Sequence, residues 1–310
     1  MKIRKVVLVI TVPFVIAVFY SGFNKIIKRN SGESDFLSPI ADELTPTSHP
    51  VFSVVKETVS SGDLKIVIEE ALEGTKGKYG VVIKNFQTGE EYYANEHRKY
   101  EPASLYKLWI MATTFKQIQK GVLKENDILS EDIPVLNSKF HIDPTLAEQK
   151  EGKITMTVKD ALEKMITISD NYSALLLSEK LRLSNVSDFL KENNFTESRL
   201  GEPPISTPYD FAFFFEKLYN GELANEENTQ KMLKILEKQT FNGKIPKYLP
   251  DNVTIAHKTG EIGFFTHDAG IVFSDKGNYV IVVMSESDSP FGAEERISNI
   301  SKAVYEYFYK

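Results

Sequence analysis

The chain has 310 residues, of which 42% are hydrophobic and 26% charged, and its formal net charge is −6. This composition is typical of a globular protein, and the acidic balance argues against a nucleic-acid-binding protein, which usually presents a basic face. The absence of cysteine excludes disulfides, thiolate metal sites and a cysteine nucleophile. The five histidines include no His-x-x-x-His pair, so we expect neither a metal ion nor another cofactor.

The first 29 residues contain an uncharged, apolar run at 6–23 with basic residues on both sides. Its eighteen residues suffice for a membrane-spanning helix, which needs about 17–25. Residues 1–29 are therefore predicted to anchor the chain in the membrane. A cleaved signal peptide remains an alternative, although the stretch 19–23 lacks the small-x-small pattern of a cleavage site.

The segment 30–61 is rich in Ser, Thr, Pro, Glu and Asp, and it contains Pro39, Pro46 and Pro50. Such a composition buries too little apolar surface to fold alone. It predicts a flexible or extended tether. A folded domain is expected from residue 62 to residue 310.

Hydrophobic spacing predicts the elements of this domain in chain order. A helix is predicted at 64–72, before strands at 79–85 and 91–94 that flank the turn 87–90. Six predicted helices follow, at 104–119, 158–168, 172–181, 186–193, 208–219 and 229–239. Three predicted strands then follow, at 254–258, 269–274 and 279–284. The last predicted helix covers 295–308.

This order predicts an α+β fold in which strands from both ends of the domain share one antiparallel sheet. The terminal helices would cover one face of that sheet, and the helical block would form a second lobe. A cleft between two lobes is a common place for a ligand or active site.

The first candidate site is the string Glu101-Pro-Ala-Ser-Leu-Tyr-Lys. Ser104 and Lys107 are three residues apart, so on a helix they lie on one face. A serine hydroxyl becomes a nucleophile when a base takes its proton, and burial can keep a lysine amine neutral enough to do so. Ser104 could equally be a helix N-cap. The same spacing at Ser53 and Lys56, in the tether, we attribute to chance.

The second candidate is Ser169-Asp170-Asn171, between two predicted helices. Ser and Asp are ordinary residues before a helix, and Asp170 fits that capping role. In the functional interpretation, Ser169 relays a proton to the leaving nitrogen. Asn171 would hold a substrate amide by hydrogen bonds.

The third candidate is Lys258-Thr259-Gly260, which could also be an ordinary strand end and turn. Functionally, Lys258 would attract a substrate carboxylate and help keep the first lysine neutral, and Thr259 would hydrogen-bond the same carboxylate. Gly260 would let substrate approach the strand closely. The backbone N–H of Glu261 would pair with that of the serine nucleophile in an oxyanion hole.

The three strings in this order resemble the motif set of class A β-lactamases and penicillin-binding proteins. The resemblance covers residues 62–310 and includes Ile166–Leu177, the Thr207-Pro208 start of a helix, and Thr266–Val272. It implies a five-stranded antiparallel sheet flanked by terminal helices, with an all-helical lobe. It also implies that Ser104 is acylated by a cyclic amide.

The segment 198–208 departs from this family. Class A β-lactamases carry a glutamate in an omega loop, usually in a Glu-x-x-Leu-Asn string, that activates the water releasing the acyl group. Here the loop is about a dozen residues shorter and the string is absent. Glu202 is the acid in that stretch, and it is either the catalytic base or a solvated turn residue.

Three functions follow from the resemblance. The first is a β-lactamase that opens β-lactam amides; the second is a D-Ala-D-Ala carboxypeptidase acting on cell-wall peptides; the third is a penicillin-binding sensor that releases its acyl group slowly. Such substrates imply an extracytoplasmic domain held at the membrane by residues 6–23, or secreted if that segment is cleaved. We expect a monomer that binds no nucleic acid.

Overall fold

The computed structural model describes residues 62–309, so the predicted anchor and tether lie outside the described residues. In this part of the chain no helix is both long and apolar enough for a bilayer crossing. Its helices are α1 (Gly62–Leu72), α2 (Lys107–Gln119), α3 (Ile133–Lys139), α4 (Val158–Thr167), α5 (Asn171–Leu181), α6 (Leu183–Glu192), α7 (Pro208–Tyr219), α8 (Glu226–Leu236) and α9 (Pro290–Tyr309). A short 3-10 helix spans Ala103–Tyr106.

The strands of the same region form two sheets. They are β1 (Lys78–Asn85), β2 (Glu91–Ala94), β3 (Ile128–Asp132), β4 (Lys153–Thr157), β5 (Thr254–Ile262), β6 (Phe265–Phe273) and β7 (Tyr279–Glu286). Five strands pair antiparallel in the order β2-β1-β7-β6-β5, while β3 and β4 form a separate ribbon. The large sheet joins both ends of the domain because β1 pairs with β7 along its length, from Lys78 opposite Glu286 to Asn85 opposite Tyr279.

The central strand β7 shows how the two lobes share this sheet. Successive strand residues point to opposite faces. Val280 and Val282 pack with the helical lobe, while Ile281 and Val283 pack with Leu64 and other side chains of α1 and α9. These contacts confirm the predicted α+β class, with a five-stranded antiparallel sheet, terminal helices on one face and a helical lobe on the other.

Polar caps define where several helices of the second lobe begin. The Thr157 side chain accepts a hydrogen bond from the Asp160 N–H at the start of α4, and Thr207 accepts one from Asp210 N–H at the start of α7, where Pro208 follows. Such side chains satisfy N–H groups that have no partner within the helix. The predicted helix 208–219 is confirmed at both ends.

Several element bounds differ from the sequence predictions by a few residues, and three differences affect the site or the helical lobe. The predicted helix 104–119 is split, because residues 103–106 form the 3-10 helix and α2 starts at Lys107. The predicted strand 254–258 continues to Ile262, so Lys258, Thr259 and Gly260 lie inside β5 rather than at its end. The β3–β4 ribbon and α3 were not predicted, since these short elements carry little periodic signal.

Candidate active site

The 3-10 helix Ala103–Tyr106 places the candidate nucleophile. Side chains three residues apart in a 3-10 helix lie on one face, so the geometry favours a shared face for Ser104 and Lys107, the first residue of α2. Leu105 points into the core and is fully buried, whereas Ser104 remains partly exposed. Ala103 has a φ of 47°, a left-handed conformation that costs a non-glycine residue energy and concentrates at functional sites.

Lys107 is fully buried and directs its amine at the junction between α4 and α5. Its Nζ donates to the Ser169 carbonyl at 2.5 Å, to Asn171 Oδ1 at 2.7 Å and to Ser169 Oγ at 3.2 Å. Burial lowers the pKa of Lys107 to about 7, although the charges of Asp170 and Glu148 oppose that shift. A large fraction of this amine is therefore neutral near pH 7 and can accept a proton.

Ser169 lies between the two helices in a left-handed conformation, with a φ of 56°. The next residue, Asp170, caps α5 by accepting a hydrogen bond from Ser173 N–H at 2.6 Å, as its sequence position predicted. The junction is therefore held by a helix cap on one side. On the other side, Ser169 presents its hydroxyl to the lysine amines.

Lys258 approaches the Ser169 hydroxyl from β5. Its Nζ donates to Ser169 Oγ at 3.0 Å and to the Thr259 carbonyl at 2.8 Å. Burial, with the like charges of Lys107 and Lys244, holds the pKa of Lys258 well below its usual range. Two amines thus contact one hydroxyl, and their mutual repulsion disfavours two ammonium groups at once.

Gly260 brings β5 against the 3-10 helix. A Cβ at this position would lie 2.8 Å from the Pro102 carbonyl oxygen and 3.2 Å from the Leu105 nitrogen. The space beside the Gly260 Cα is therefore occupied by protein backbone, so the absence of a Cβ lets β5 pack against the 3-10 helix. The predicted role of Gly260 towards a substrate stays a prediction. Its neighbour Thr259 is buried, within the same strand as Lys258.

The side chain of Glu261 is held by a salt bridge. Its carboxylate pairs with the Lys244 ammonium, and Lys244 also contacts Glu294 of α9 at 3.3 Å. Lys244 is only 1% exposed, so this buried cation fixes the residue whose backbone N–H was predicted in the oxyanion hole. The role of that N–H stays a prediction.

Two further residues of the site escaped the sequence analysis. His267 Nε2 lies 2.8 Å from the Glu101 carbonyl, and its Nδ1 accepts from the Ser285 N–H at 3.1 Å, so the imidazole is neutral and ties the sheet to the segment before Ser104. Burial lowers the pKa of His267 to about 4. Glu148 accepts a hydrogen bond from Asn171 Nδ2 at 2.5 Å. His267 lies within the resemblance at Thr266–Val272 but was given no role, and no local motif marks Glu148, because the partners of both residues are remote in the chain.

Glu202 lies apart from these contacts. Two backbone hydrogen bonds between Arg199 and Ile205, at 2.9 and 3.1 Å, close a short hairpin, and Glu202 is exposed within it. Among the described residues, no hydrogen bond joins its carboxylate to Lys107, Ser169 or Lys258. The structure therefore brings together the three motifs, but not this predicted base.

Residues 62–309 contain no group of three His, Cys, Asp or Glu side chains placed to hold a metal ion. The cluster described above contains two amines and the Ser169 hydroxyl, and Ser104 is the candidate nucleophile. A serine three residues from a buried lysine whose pKa is lowered to about 7 fits the pattern of a nucleophile with an adjacent base. The fold and the site together define a serine hydrolase.

The chain belongs to the β-lactamase enzyme family, whose model matches residues 63–308. It is 24% identical over 287 residues to β-lactamase VEB-1 of Pseudomonas aeruginosa, covering 83% of this chain and 94% of that one. The extended-spectrum β-lactamase PER-1 of the same organism is 22% identical over 281 residues, covering 83% and 91%.

Solved structures share the fold. A β-lactamase from Sphaerobacter thermophilus superposes with a TM-score of 0.70 at 24% identity, covering 79% of this chain and 96% of that one. The protein PBP-A superposes with a TM-score of 0.68 at 22% identity, covering 79% and 95%. These matches show the fold alone; the family model over residues 63–308 is what places the chain among the β-lactamases, as the three motifs predicted.

Proposed function

We propose that this protein is a serine β-lactamase of the class A type, which opens β-lactam amides through an acyl-Ser104 intermediate. The observation that carries the proposal is the Ser169 hydroxyl held between Lys107 Nζ at 3.2 Å and Lys258 Nζ at 3.0 Å. Both amines are buried, one at the start of α2 and the other in β5. The β-lactamases VEB-1 and PER-1 support the substrate class.

The first step is acylation. The neutral Lys107 amine takes the proton of Ser104, whose Oγ attacks the carbonyl carbon of the cyclic amide. The backbone N–H groups of Ser104 and Glu261 stabilise the oxygen that becomes negative. Collapse of the tetrahedral intermediate breaks the C–N bond, and Ser169 donates its proton to the leaving nitrogen.

Binding and proton return complete this half-reaction. Lys258 and Thr259 hold the carboxylate that β-lactams carry, and Asn171 holds the amide of the acyl side chain. Ser169 regains a proton from the Lys107 ammonium, with which it is already hydrogen-bonded. No group outside the cluster is needed to form the ester.

The proposal predicts covalent labelling at one serine. Wild type quenched with denaturant during turnover should carry up to one equivalent of a fluorescent penicillin, and Ser104→Ala should carry none, because the ester forms on the Ser104 oxygen. The label is measured by gel fluorescence and its position by peptide mass. Ser53→Ala, which alters the other Ser-x-x-Lys string, is the matched control and should label fully. Labelled Ser104→Ala would refute the assignment.

Deacylation is proposed to use Glu202 as the base for the attacking water. Glu202→Gln should therefore show a burst of one equivalent with a chromogenic cephalosporin, and its steady turnover should fall about 10²–10⁴-fold, the usual contribution of a general base. Burst amplitude and steady rate come from one stopped-flow trace. Unchanged turnover in this variant would exclude Glu202.

The exposure of Glu202 favours a second candidate function, that of a penicillin-binding enzyme or sensor. Its hairpin tip is not hydrogen-bonded to the catalytic cluster, and PBP-A shares the fold. A stoichiometric burst without turnover in wild type would support a sensor. Release of D-alanine from a wall pentapeptide would support a carboxypeptidase.

A further inference from the structure

His267, in β6, makes two hydrogen bonds that the mechanism above does not use. Its Nε2 donates to the Glu101 carbonyl at 2.8 Å, and its Nδ1 accepts from the Ser285 N–H at 3.1 Å. Only a neutral imidazole with its proton on Nε2 can make both contacts. The side chain therefore links β7, the central strand of the sheet, to the segment that precedes the 3-10 helix.

The packing around this imidazole restricts its orientation. The side chain is fully buried, and its ring centroid lies 5.9 Å from that of Tyr100 in an edge-to-face contact and 6.0 Å from that of Phe265. Burial lowers the pKa of His267 to about 4, so Nδ1 remains an acceptor at neutral pH. A ring held in this way fixes the distance between β6 and the Glu101 carbonyl.

The backbone between Glu101 and Ser104 has little conformational freedom. The ring of Pro102 fixes its own φ, and Ala103 is left-handed, with a φ of 47°. The Leu105 N–H donates to the Pro102 carbonyl at 3.0 Å, which begins the 3-10 helix. A displacement of the Glu101 carbonyl would therefore be transmitted to the Ser104 N–H.

We propose that His267 is a positioning residue for acylation, an inference that rests on the proposed function. By holding the Glu101 carbonyl, it sets the Ser104 N–H relative to the Glu261 N–H, the two donors assigned to the oxyanion hole. Glu261 lies opposite Thr266 in the pairing of β5 with β6. The imidazole, one position further along β6, thus ties both halves of the oxyanion hole to a single strand.

The test separates the donor nitrogen of the imidazole from its acceptor nitrogen. An asparagine amide reaches the position of Nδ1 but not that of Nε2, so His267→Asn loses the hydrogen bond to Glu101. The amide nitrogen of His267→Gln reaches the position of Nε2 and keeps that bond. Stopped-flow labelling of the full-length protein over a range of fluorescent penicillin concentrations gives the binding constant and the acylation rate constant separately.

We expect His267→Asn to acylate about 10–100-fold more slowly, because a displacement of about 1 Å can cost a catalytic group about 100-fold. Its binding constant should stay within about threefold of wild type, since oxyanion donors act on charge that develops only during the reaction. His267→Gln should acylate within about threefold of wild type, because the donor is kept. Chemical denaturation checks that each variant is folded.

The matched control is His257→Asn, which alters another buried histidine, on the neighbouring strand. The His257 ring contacts Asp268 at 2.9 Å and makes no listed hydrogen bond to the segment before Ser104 among residues 62–309. This variant should keep the wild-type acylation rate. An equal loss in His257→Asn would overturn the inference, because the effect would then come from general disturbance of the sheet.

The remaining outcomes also decide the inference. If His267→Asn does not fold, His267→Met, which keeps the bulk of the side chain without a donor, takes its place and should show the same loss. Wild-type acylation by the folded variant overturns the inference, as does an equal loss in His267→Gln. Failure of both variants to fold beside a folded, active His267→Gln would assign the contact to stability alone and overturn it too. Wild type that takes no label removes the proposed function and this inference together.

Discussion

Lys107 and Lys258 both direct their Nζ atoms at one oxygen, the hydroxyl of Ser169. Burying an ammonium is costly, and burying two beside each other is more so. The pKa values of both lysines are lowered for this reason. In the proposed mechanism, the same arrangement that disfavours charge would provide a base for Ser104, since that role requires a neutral amine.

The rate of acylation should follow the protonation of Lys107. With a pKa of about 7, the amine is neutral above that pH and charged below it. Acylation should therefore reach a plateau above about pH 8 and fall about tenfold per unit below pH 7. Stopped-flow labelling with a fluorescent penicillin from pH 5 to pH 9 measures this profile. Circular dichroism at each pH is the control for folding, and a flat profile would contradict the role of Lys107.

The candidate site residues could be predicted from the sequence where their partners lie close in the chain. Ser104 with Lys107, and Ser169 with Asn171, form short strings whose spacing predicts a shared face or junction. Glu148 and Lys244 could not be found that way. Their contacts join Asn171 to a loop 23 positions earlier and Glu261 to a segment 17 positions earlier, and no periodicity encodes such pairs.

At the scale of elements, the contact between β5 and the 3-10 helix aligns the two halves of the site. The edge strand β5 can approach this helix because Gly260 has no Cβ, and the approach places Lys258 near Ser169. Strand alternation supports this geometry, since Ala256, two residues before Lys258, packs with the helical lobe. His257 instead contacts Asp268 Oδ1 at 2.9 Å.

Gly260→Ala should separate these two elements. The added Cβ would lie 2.8 Å from a backbone oxygen, so the 3-10 helix must shift. We expect a loss of about 1–3 kcal/mol in unfolding free energy, as for other overpacked sites, and acylation at least tenfold slower. Chemical denaturation and fluorescent labelling measure the two effects.

Gly243→Ala is the matched control, because a Cβ there would meet no atom within 4 Å. It should leave both quantities close to wild type. Normal acylation by Gly260→Ala would show that the spacing between β5 and the 3-10 helix does not position the nucleophile.

Element boundaries were predictable where a cap or a proline marks them, as at Thr207 and Pro208 for α7. They were less predictable inside the site. The pattern after Pro102 is largely apolar and has no proline or glycine, so the change from 3-10 to α-helix at Lys107 leaves no mark in it. The predicted end of β5 came too early, because Gly260 resembled a turn residue while the turn lies at Gly263 and Phe264.

For the molecule as a whole, one sheet separates two hydrophobic cores. The core against α1 and α9 contains none of the catalytic side chains. The site instead lies on the helical-lobe side, where Leu105 and Ala256 belong to the larger core. Packing of the terminal helices thus supports the sheet from behind, while both lobes supply reactive groups on the other side.

The pairing of β1 with β7 has a consequence for synthesis on the ribosome. Residues 86–278 are synthesised between these two strands, so β1 cannot pair with β7 until β7, the last strand in the chain, has been made. A polypeptide released at residue 250 would already contain Ser104, Lys107 and Ser169, yet it would lack β5 and the amine of Lys258. If Lys258 is required as proposed, prematurely terminated products should not react with penicillins, and reactivity should arise only near the end of translation.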